Sequence, residues 1–442
     1  MKPLKYNYLF SITKISFYTF PISLIAGSLI VNLNIIVFTT LGIIFCFLNK
    51  IKFRFNLINI SLLLFFLIFI LSSYRNLNEI GTENFVKSIF LIKFFLLYAV
   101  LEILIKNTKF EIKYFFNICF FSIFFLSLDL SIQYFFGKNT LGFVPHEGRI
   151  SGIFGHEAIA GAYLQKIFIF SLISMFFFQF DSKNNKKSLY LSIILASIIF
   201  GSFVASNRIS FIILILSIFL FIFLFKILRK NLIYSIILIL PVLFVIYQND
   251  PSVNARYNGF FFNIQKLIFT LEDSYFSKKK NTNVDKEIIK ENESILKNTK
   301  INPSTHARLF STAFESFKEK IYLGNGYKSF RTRCVIFTNK SQNYLCSTHP
   351  HNYHLEVLHD TGIIGFLILT FFIVSLLLKV SIQIFKSDES NIYKIILSLL
   401  LINLLIELFP FKSTGSLFTS WNGTLVWLAV SLINYKNHEI RD

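Results

Sequence analysis

Charge is what this 442-residue chain has least of: 15% of its residues are Asp, Glu, Lys or Arg, and only 24 are acidic, against 54% hydrophobic. A soluble domain carries roughly a quarter charged residues, so this composition, with a mean hydropathy of +0.60, excludes a water-soluble globule and requires an integral membrane protein. Cysteine is scarce, with four in all, and neither a cysteine cluster nor an H-E-x-x-H segment is present, which removes the most specific zinc signatures. Ala and Gly are few while Phe reaches 57. Such usage fits an AT-rich coding sequence choosing among apolar codons, and no aromatic cofactor box is read from it. No cleavable signal peptide is expected either, because the first apolar run leads to Asn32 and further apolar residues with no small-residue cleavage site.

What is present in quantity is the apolar run. Stretches of roughly 17–25 apolar residues recur about twelve times, over 8–28, 30–48, 57–74, 85–105, 112–136, 158–180, 188–207, 209–225, 231–247, 361–385, 392–410 and 415–434. They predict an all-α integral membrane protein of about twelve transmembrane helices. Lys and Arg near span ends resist translocation. With the N-terminus inside, one set of turns holds Lys50, Lys52 and Arg54, then Lys106, Lys109 and Lys113, then Lys183, Lys186 and Lys187, then Lys226, Arg229 and Lys230, and last Lys379, Lys386 and Lys394. The opposite set is sparse: Arg75, Lys138, Arg149, Arg208 and Lys412. An even number of spans then puts both termini in the cytoplasm. Much of the net charge of +20 becomes a topology signal, which argues against nucleic acid as a partner. Lys93 and Asp129 fall at similar depth within spans, where an unpaired charge is costly, so they are expected to meet.

One connection is long. Residues 248–360 form a large outer loop after the ninth span, with room for helices of its own, and divide the chain into 1–247, 248–360 and 361–442. Residues 281–300 are polar and charge-alternating, a solvated segment without evident chemistry. Ala307, Phe310, Phe314, Phe317 and Ile321 recur every three or four residues and predict an amphipathic helix. Ser304 or Thr305 can open it, and Gly324 with Gly326 can end it. Arg308 lies in its first turn, where the helix dipole disfavours a cation by ~0.3–1 kcal/mol; either another partner holds it there or it folds back on the helix surface. Cys46 and Cys119 sit inside spans as small hydrophobes. Cys334 and Cys346 share the outer loop, and in an oxidising compartment a bond between them would add ~3 kcal/mol and tether the segment before His349.

The densest chemistry is STHPHNYHLEVLHDTGIIGF, Ser347 to Phe366, which holds four of the eight histidines: His349, His351, His354 and His359. As a metal site, H-x-H-x-x-H could recruit Glu356 or Asp360, but Pro350 separates His349 from the rest. As a base, a histidine on the outer face could accept a proton from a hydroxyl near neutral pH. As an ordinary loop, the four are solvated. Pro350 stops any helix arriving from the N-terminal side, so a short helix would begin at His351 or Asn352 and end near Asp360.

The pattern His349-Pro350-His351-Asn352, followed after nine residues by Gly362-x-x-Gly365 at the start of a span, resembles the signature of the O-antigen ligase family. So do RISGIFGHEAIAGAYL (Arg149 to Leu164), SNRISF (Ser206 to Phe211) and RLFSTAFESFKEKIYLGNGYKSF, which begins at Arg308. The resemblance implies a GT-C-like membrane glycosyltransferase of the bacterial inner membrane, with its long loop and active site on the periplasmic face. It implies transfer of polysaccharide from undecaprenyl pyrophosphate to a hydroxyl of the lipid A core, with inversion and without a cofactor or metal. O-antigen polymerases are the nearest relatives in chemistry; a protein O-oligosaccharyltransferase would be longer, and a flippase would have little use for the loop. By the same resemblance His351 is the base, Asn352 orients its ring or caps the helix, and His349 supports them. Arg149, Arg208 and Arg308 bind the carrier diphosphate, the task for which guanidinium forks are suited. Gly362 is expected to break the short helix, and Gly365 to admit another helix closely.

Overall fold

The computed structural model of the chain describes residues 7–53, 55–146, 148–180, 185–205, 207–259, 261, 305–386 and 391–434. In order the helices are α1 (Asn7–Tyr18), α2 (Phe20–Ala26), α3 (Ser28–Leu48), α4 (Leu57–Arg75), α5 (Leu77–Ile89), α6 (Ile92–Asn107), α7 (Lys113–Phe136), α8 (Ala160–Phe180), α9 (Asn185–Val204), α10 (Arg208–Leu224), α11 (Lys226–Asn249), α12 (Thr305–Glu319), α13 (Phe330–Thr338), α14 (Tyr353–Lys386), α15 (Asn391–Glu407) and α16 (Ser420–Leu432). Among the described residues there is no strand, only an isolated bridge between His146 and Arg149. Helix is the form an isolated apolar segment must take in lipid, since it satisfies its own backbone groups.

All twelve apolar runs of the sequence fall wholly or largely on these helices. Among the described residues, seven helical segments are long and apolar enough to cross a bilayer, or eight when α1 and α2, bent by 49°, count as one. Phe47, Phe223 and Phe385 stand exposed on the helix surfaces, where lipid would cover them. Inside, α8 is the most enclosed span. Its Tyr163 hydroxyl donates to the Pro21 carbonyl at 2.8 Å and lies 2.9 Å from Ser122 Oγ, joining α8 to α2 and α7.

Lys93 and Asp129 do not meet. Lys93 donates to Asn32 Oδ1 at 2.7 Å and Ser420 Oγ at 3.2 Å. Asp129 instead receives the Thr140 N–H at 3.0 Å and the Asn139 amide at 3.2 Å. The left-handed Gly137 at the end of α7 turns the chain back, so a local turn reaches the carboxylate before any other helix can. The segment 281–300, Arg54, Lys183, Ser206 and Ser304 lie outside the described residues.

The element that positions the site is α14, which runs from Tyr353 to Lys386 but breaks at Gly362, where φ is +66°. The break is matched to the turn after α12. Asn325 N–H donates to the His359 carbonyl at 2.9 Å, Gly326 N–H to that of Asp360 at 3.0 Å, and Ile363 N–H to that of Ile321 at 2.8 Å. α4 closes the junction from a third direction, with Ser72 donating to the Asp360 carbonyl at 2.7 Å and Asn76 to that of Gly324 at 3.1 Å. Backbone lies so close here that a Cβ on Gly362 would sit 2.3 Å from the Tyr322 oxygen, and one on Gly324 2.4 Å from the Gly362 nitrogen. Gly365 differs from expectation: the nearest atom to its added Cβ is Thr361 Oγ1, at 2.2 Å, on the preceding turn of its own helix. Its small size accommodates that side chain, not a second helix.

Gly362→Ala should therefore cost several kcal/mol, since it adds a backbone collision to the ~1–2 kcal/mol of left-handed strain. Gly137→Ala, also left-handed but with nothing within 4 Å, should cost the strain alone. Thermal unfolding of both variants in one detergent checks this, and equal melting temperatures would remove the argument.

Candidate active site

Asn352 sets the geometry around His351. It is buried and caps α14, its Oδ1 accepting the Leu355 N–H at 3.0 Å while its amide donates to the Pro410 carbonyl at 2.6 Å and the Lys412 carbonyl at 3.3 Å. Its contacts are thus with backbone and not with the His351 ring. Thr414 N–H donates to the His351 carbonyl at 2.9 Å, so the segment between α15 and α16 straps the histidine from both sides. Under that strap His351 adopts φ +58°, a left-handed conformation that a non-glycine residue keeps only when its surroundings impose it.

The strap is fixed from below. Lys412 donates to Glu407 Oε2 at 2.7 Å and Tyr353 to Oε1 at 2.9 Å, and Lys166 of α8 closes an ion pair with the same carboxylate. Further along, Glu356 accepts the Leu417 N–H at 2.8 Å and the Ser416 hydroxyl. All these carboxylates and ammonium groups are buried, where an ion pair holds position chiefly because losing one partner strands the other.

The histidines of the stretch part company. His349 and His351 lie ring to ring with centroids 4.1 Å apart, and His306 of α12 meets His351 at 5.5 Å. His354 turns its Nε2 to the Leu408 carbonyl at 2.8 Å. His359 is fully buried between Asp360, 2.8 Å from Nδ1, and Ser316, 3.0 Å from Nε2. Among the described residues no group of three or more His, Cys, Asp or Glu is arranged to hold a metal ion. Burial, then the neighbouring His351, pushes His349 down to about 4 from 6.5. Burial, then His306, also holds His351 below the ordinary imidazole range. Both rings are neutral at pH 7, the state in which an imidazole can accept a proton. Ser347 Oγ lies 3.3 Å from His351 Nε2; if it accepts from Nε2–H, the Nδ1 lone pair is left for a substrate proton. Cys334 and Cys346 are joined in a disulfide with Cα atoms 5.0 Å apart, one residue before that serine.

Two of the three expected arginines gather, and a further one joins them. Arg208, at the start of α10, donates to the Arg256 carbonyl at 2.8 Å. Arg256 binds the Gly148 carbonyl and Ser252, and it is lowered by burial first, with the Arg149 and Arg208 charges contributing. Arg308 stands apart on α12, donating to the Tyr344 carbonyl at 2.9 Å; among the described residues no hydrogen bond or ion pair ties it to Arg149 or Arg208. It lies two positions from His306. An apolar groove of about 520 Å³ between α10 and α15, lined by Ile209, Ile213, Ile402 and Ile406 among others, ends at Lys412 and Ser413. Ser413 Oγ lies 3.2 Å from His306 Nδ1, so the groove leads from beside Arg208 to the histidines.

Residues 190–370 match the family model described as O-Antigen ligase. The chain carries an O-antigen ligase family domain. No curated protein matches the chain. The matched stretch holds Arg208, Arg308, His349, His351, Asn352, Gly362 and Gly365, while Arg149, Lys166, Glu407 and the strap lie outside it. The match supports an enzyme of the O-antigen ligase or polymerase type acting on lipid-linked glycans, and the apolar helices agree with a multi-pass membrane protein. Sequence reasoning overlooked His306, Arg256, Lys166 and Glu407. The last two had a usable signal, being ionisable residues inside apolar runs, where such groups are paired or functional.

If His351 is the base, the acid limb of the transfer rate should lie below pH 6.5, because the fold favours neutral His351. Removing His306 with His306→Gln should move the limb upward, since the repelling neighbour is gone. An unchanged limb would disconnect the two rings. Because His349 is depressed, its contribution to stability is complete above pH 6.5 and is lost as pH falls toward about 4.

Proposed function

We propose that the protein is an O-antigen ligase that transfers polysaccharide from undecaprenyl pyrophosphate to a hydroxyl of the lipid A core. In this reading it crosses the inner membrane about twelve times, with both termini cytoplasmic and residues 248–360 on the periplasmic side. The observation that carries the proposal is His351, held left-handed and neutral beside His306 and His349 within the family-matched stretch. His351 takes the proton of the acceptor hydroxyl as its oxygen attacks the anomeric carbon. The bond from that carbon to the diphosphate oxygen breaks, the electron pair leaves with undecaprenyl pyrophosphate, and the configuration inverts.

Arg149, Arg208 and Arg308 are assigned to the diphosphate, joined now by Arg256 on the strength of its contact with Arg208. Guanidinium groups meeting the charge that grows on the leaving group stabilise the transition state more than the ground state. The groove ending at Ser413 suits the carrier's hydrocarbon tail. His349 and Asn352 support the base without taking the proton.

His351→Ala should reduce transfer by roughly 10²–10⁴-fold. In cells the ligase reading predicts long polymer accumulating on the carrier with bare lipid A core. Core bearing a single repeat would assign the polymerase reaction instead, and normal long-chain lipopolysaccharide would overturn both. Arg208→Lys keeps the charge but loses the fork, so it should lower kcat by roughly tenfold or more with folding intact. A fully active lysine variant would remove Arg208 from the diphosphate site.

A further inference from the structure

Several outer-loop cations are ion-paired. Lys318 pairs with Glu315, Lys320 with Glu79, and Arg333 with both Glu79 and Glu319. Lys93, Lys328 and Arg331 are different: among the described residues no carboxylate lies within ion-pair distance of any of them.

Contacts bring these three together. Lys328 is itself left-handed, at φ +57°, with its N–H given to Asp360 Oδ2 at 3.2 Å and its ammonium 5.1 Å from the Tyr327 ring. Tyr327 packs on Phe418 at 6.4 Å, and two residues later Ser420 receives the Lys93 ammonium at 3.2 Å. Arg331 lies three residues after Lys328, in the first turn of α13, and stays exposed. Burial first, then the charges of Arg331 and Lys87 against the opposing Glu356 and Glu83, holds the Lys328 ammonium below the ordinary lysine range. Lys87 is spoken for by Glu83.

The cluster adjoins the catalytic stretch: Cys346 Sγ lies 3.9 Å from the Arg331 carbonyl, and the next residue, Ser347, meets the His351 ring. The site runs from Arg208 and the groove through Ser413, His306 and His351 to Ser347, Cys346 and Arg331, with Lys328 and Lys93 beyond. Arg208 and Arg256 stand at one end and three cations without an ion-paired carboxylate at the other, with the base between. A transferase that joins two anionic lipids needs an anion site on each side of its base.

We infer that Lys93, Lys328 and Arg331 form a second anion subsite, which binds a phosphate group of the acceptor glycolipid and sets it beside His349. The inference rests on the ligase reading for the identity of the acceptor. Uncompensated cations at a bilayer surface also attract anionic phospholipid, and the test separates the two sources.

Full-length protein in zwitterionic nanodiscs is titrated with lipid A core carrying its phosphates and with the same glycolipid after their removal. Lys328→Gln with Arg331→Gln should weaken binding of the phosphorylated form by roughly tenfold or more, the loss expected for charge-assisted hydrogen bonds. Binding of the dephosphorylated form should not change, and Lys328→Arg with Arg331→Lys should restore most of the affinity. Equal loss for both glycolipids, no loss for either, or full competition by phosphatidylglycerol would overturn the subsite. If neither glycolipid binds the wild type while a phosphate-bearing lipid-linked glycan does so in a Lys328- and Arg331-dependent way, the ligase reading falls and the anion subsite stands. If that binding ignores Lys328 and Arg331, the subsite falls too.

Discussion

The meeting of two glycines organises the outer half of this protein. Gly324 and Gly362 approach without side chains between them, and four backbone N–H groups of one chain segment or the other find carbonyls across the gap. The contact has three consequences at once. It ends α12, it breaks α14, and it anchors both to α4 through Ser72 and Asn76. His306 on α12 and His351 before α14 can meet because their helices are locked at this junction. A side chain at either glycine would displace backbone rather than a movable tip, so the geometry of the histidines depends on an atom that is missing.

Much of this was legible in the sequence, and the reasons are physical. Apolar runs of membrane length must be helical in lipid, so every one of them falls on helix. The amphipathic period from Ala307 to Ile321 located α12, and Pro350 located the start of α14. Gly362 could be read as a helix break because few other residues hold φ +66°. What failed were inferences of pairing across space. Lys93 and Asp129 share a depth, yet each is satisfied by nearer polar groups that a depth argument cannot see. Arg308 was grouped with two arginines, and its own hydrogen bond goes instead to the Tyr344 carbonyl, a partner the sequence did not suggest. His306 had no neighbour in sequence to recommend it, since its partner His351 lies forty-five residues on and meets it only through the fold.

The histidine stretch shows how one short run divides its labour. Its outer rings, His349 and His351, have lost water and gained each other, and stay neutral. His359 has become part of the interior, tied to Asp360 and Ser316. His354 has become a brace against the end of α15 through the Leu408 carbonyl. Identical side chains two to five positions apart thus carry different chemistry, because the loop and the helix after it send them to different surroundings.

The cluster under the strap sets two ammonium groups against a single carboxylate: Lys166 and Lys412 share Glu407. That two-to-one ratio makes its members unequal. Replacing either lysine by a neutral residue leaves a balanced pair, with Tyr353 still bonded to the carboxylate. Replacing the glutamate leaves two buried cations facing each other, and the strap carrying Thr414 and Ser413 is then pushed from the helix it holds. A neutral residue should accordingly be better tolerated at Lys166 or Lys412 than at Glu407.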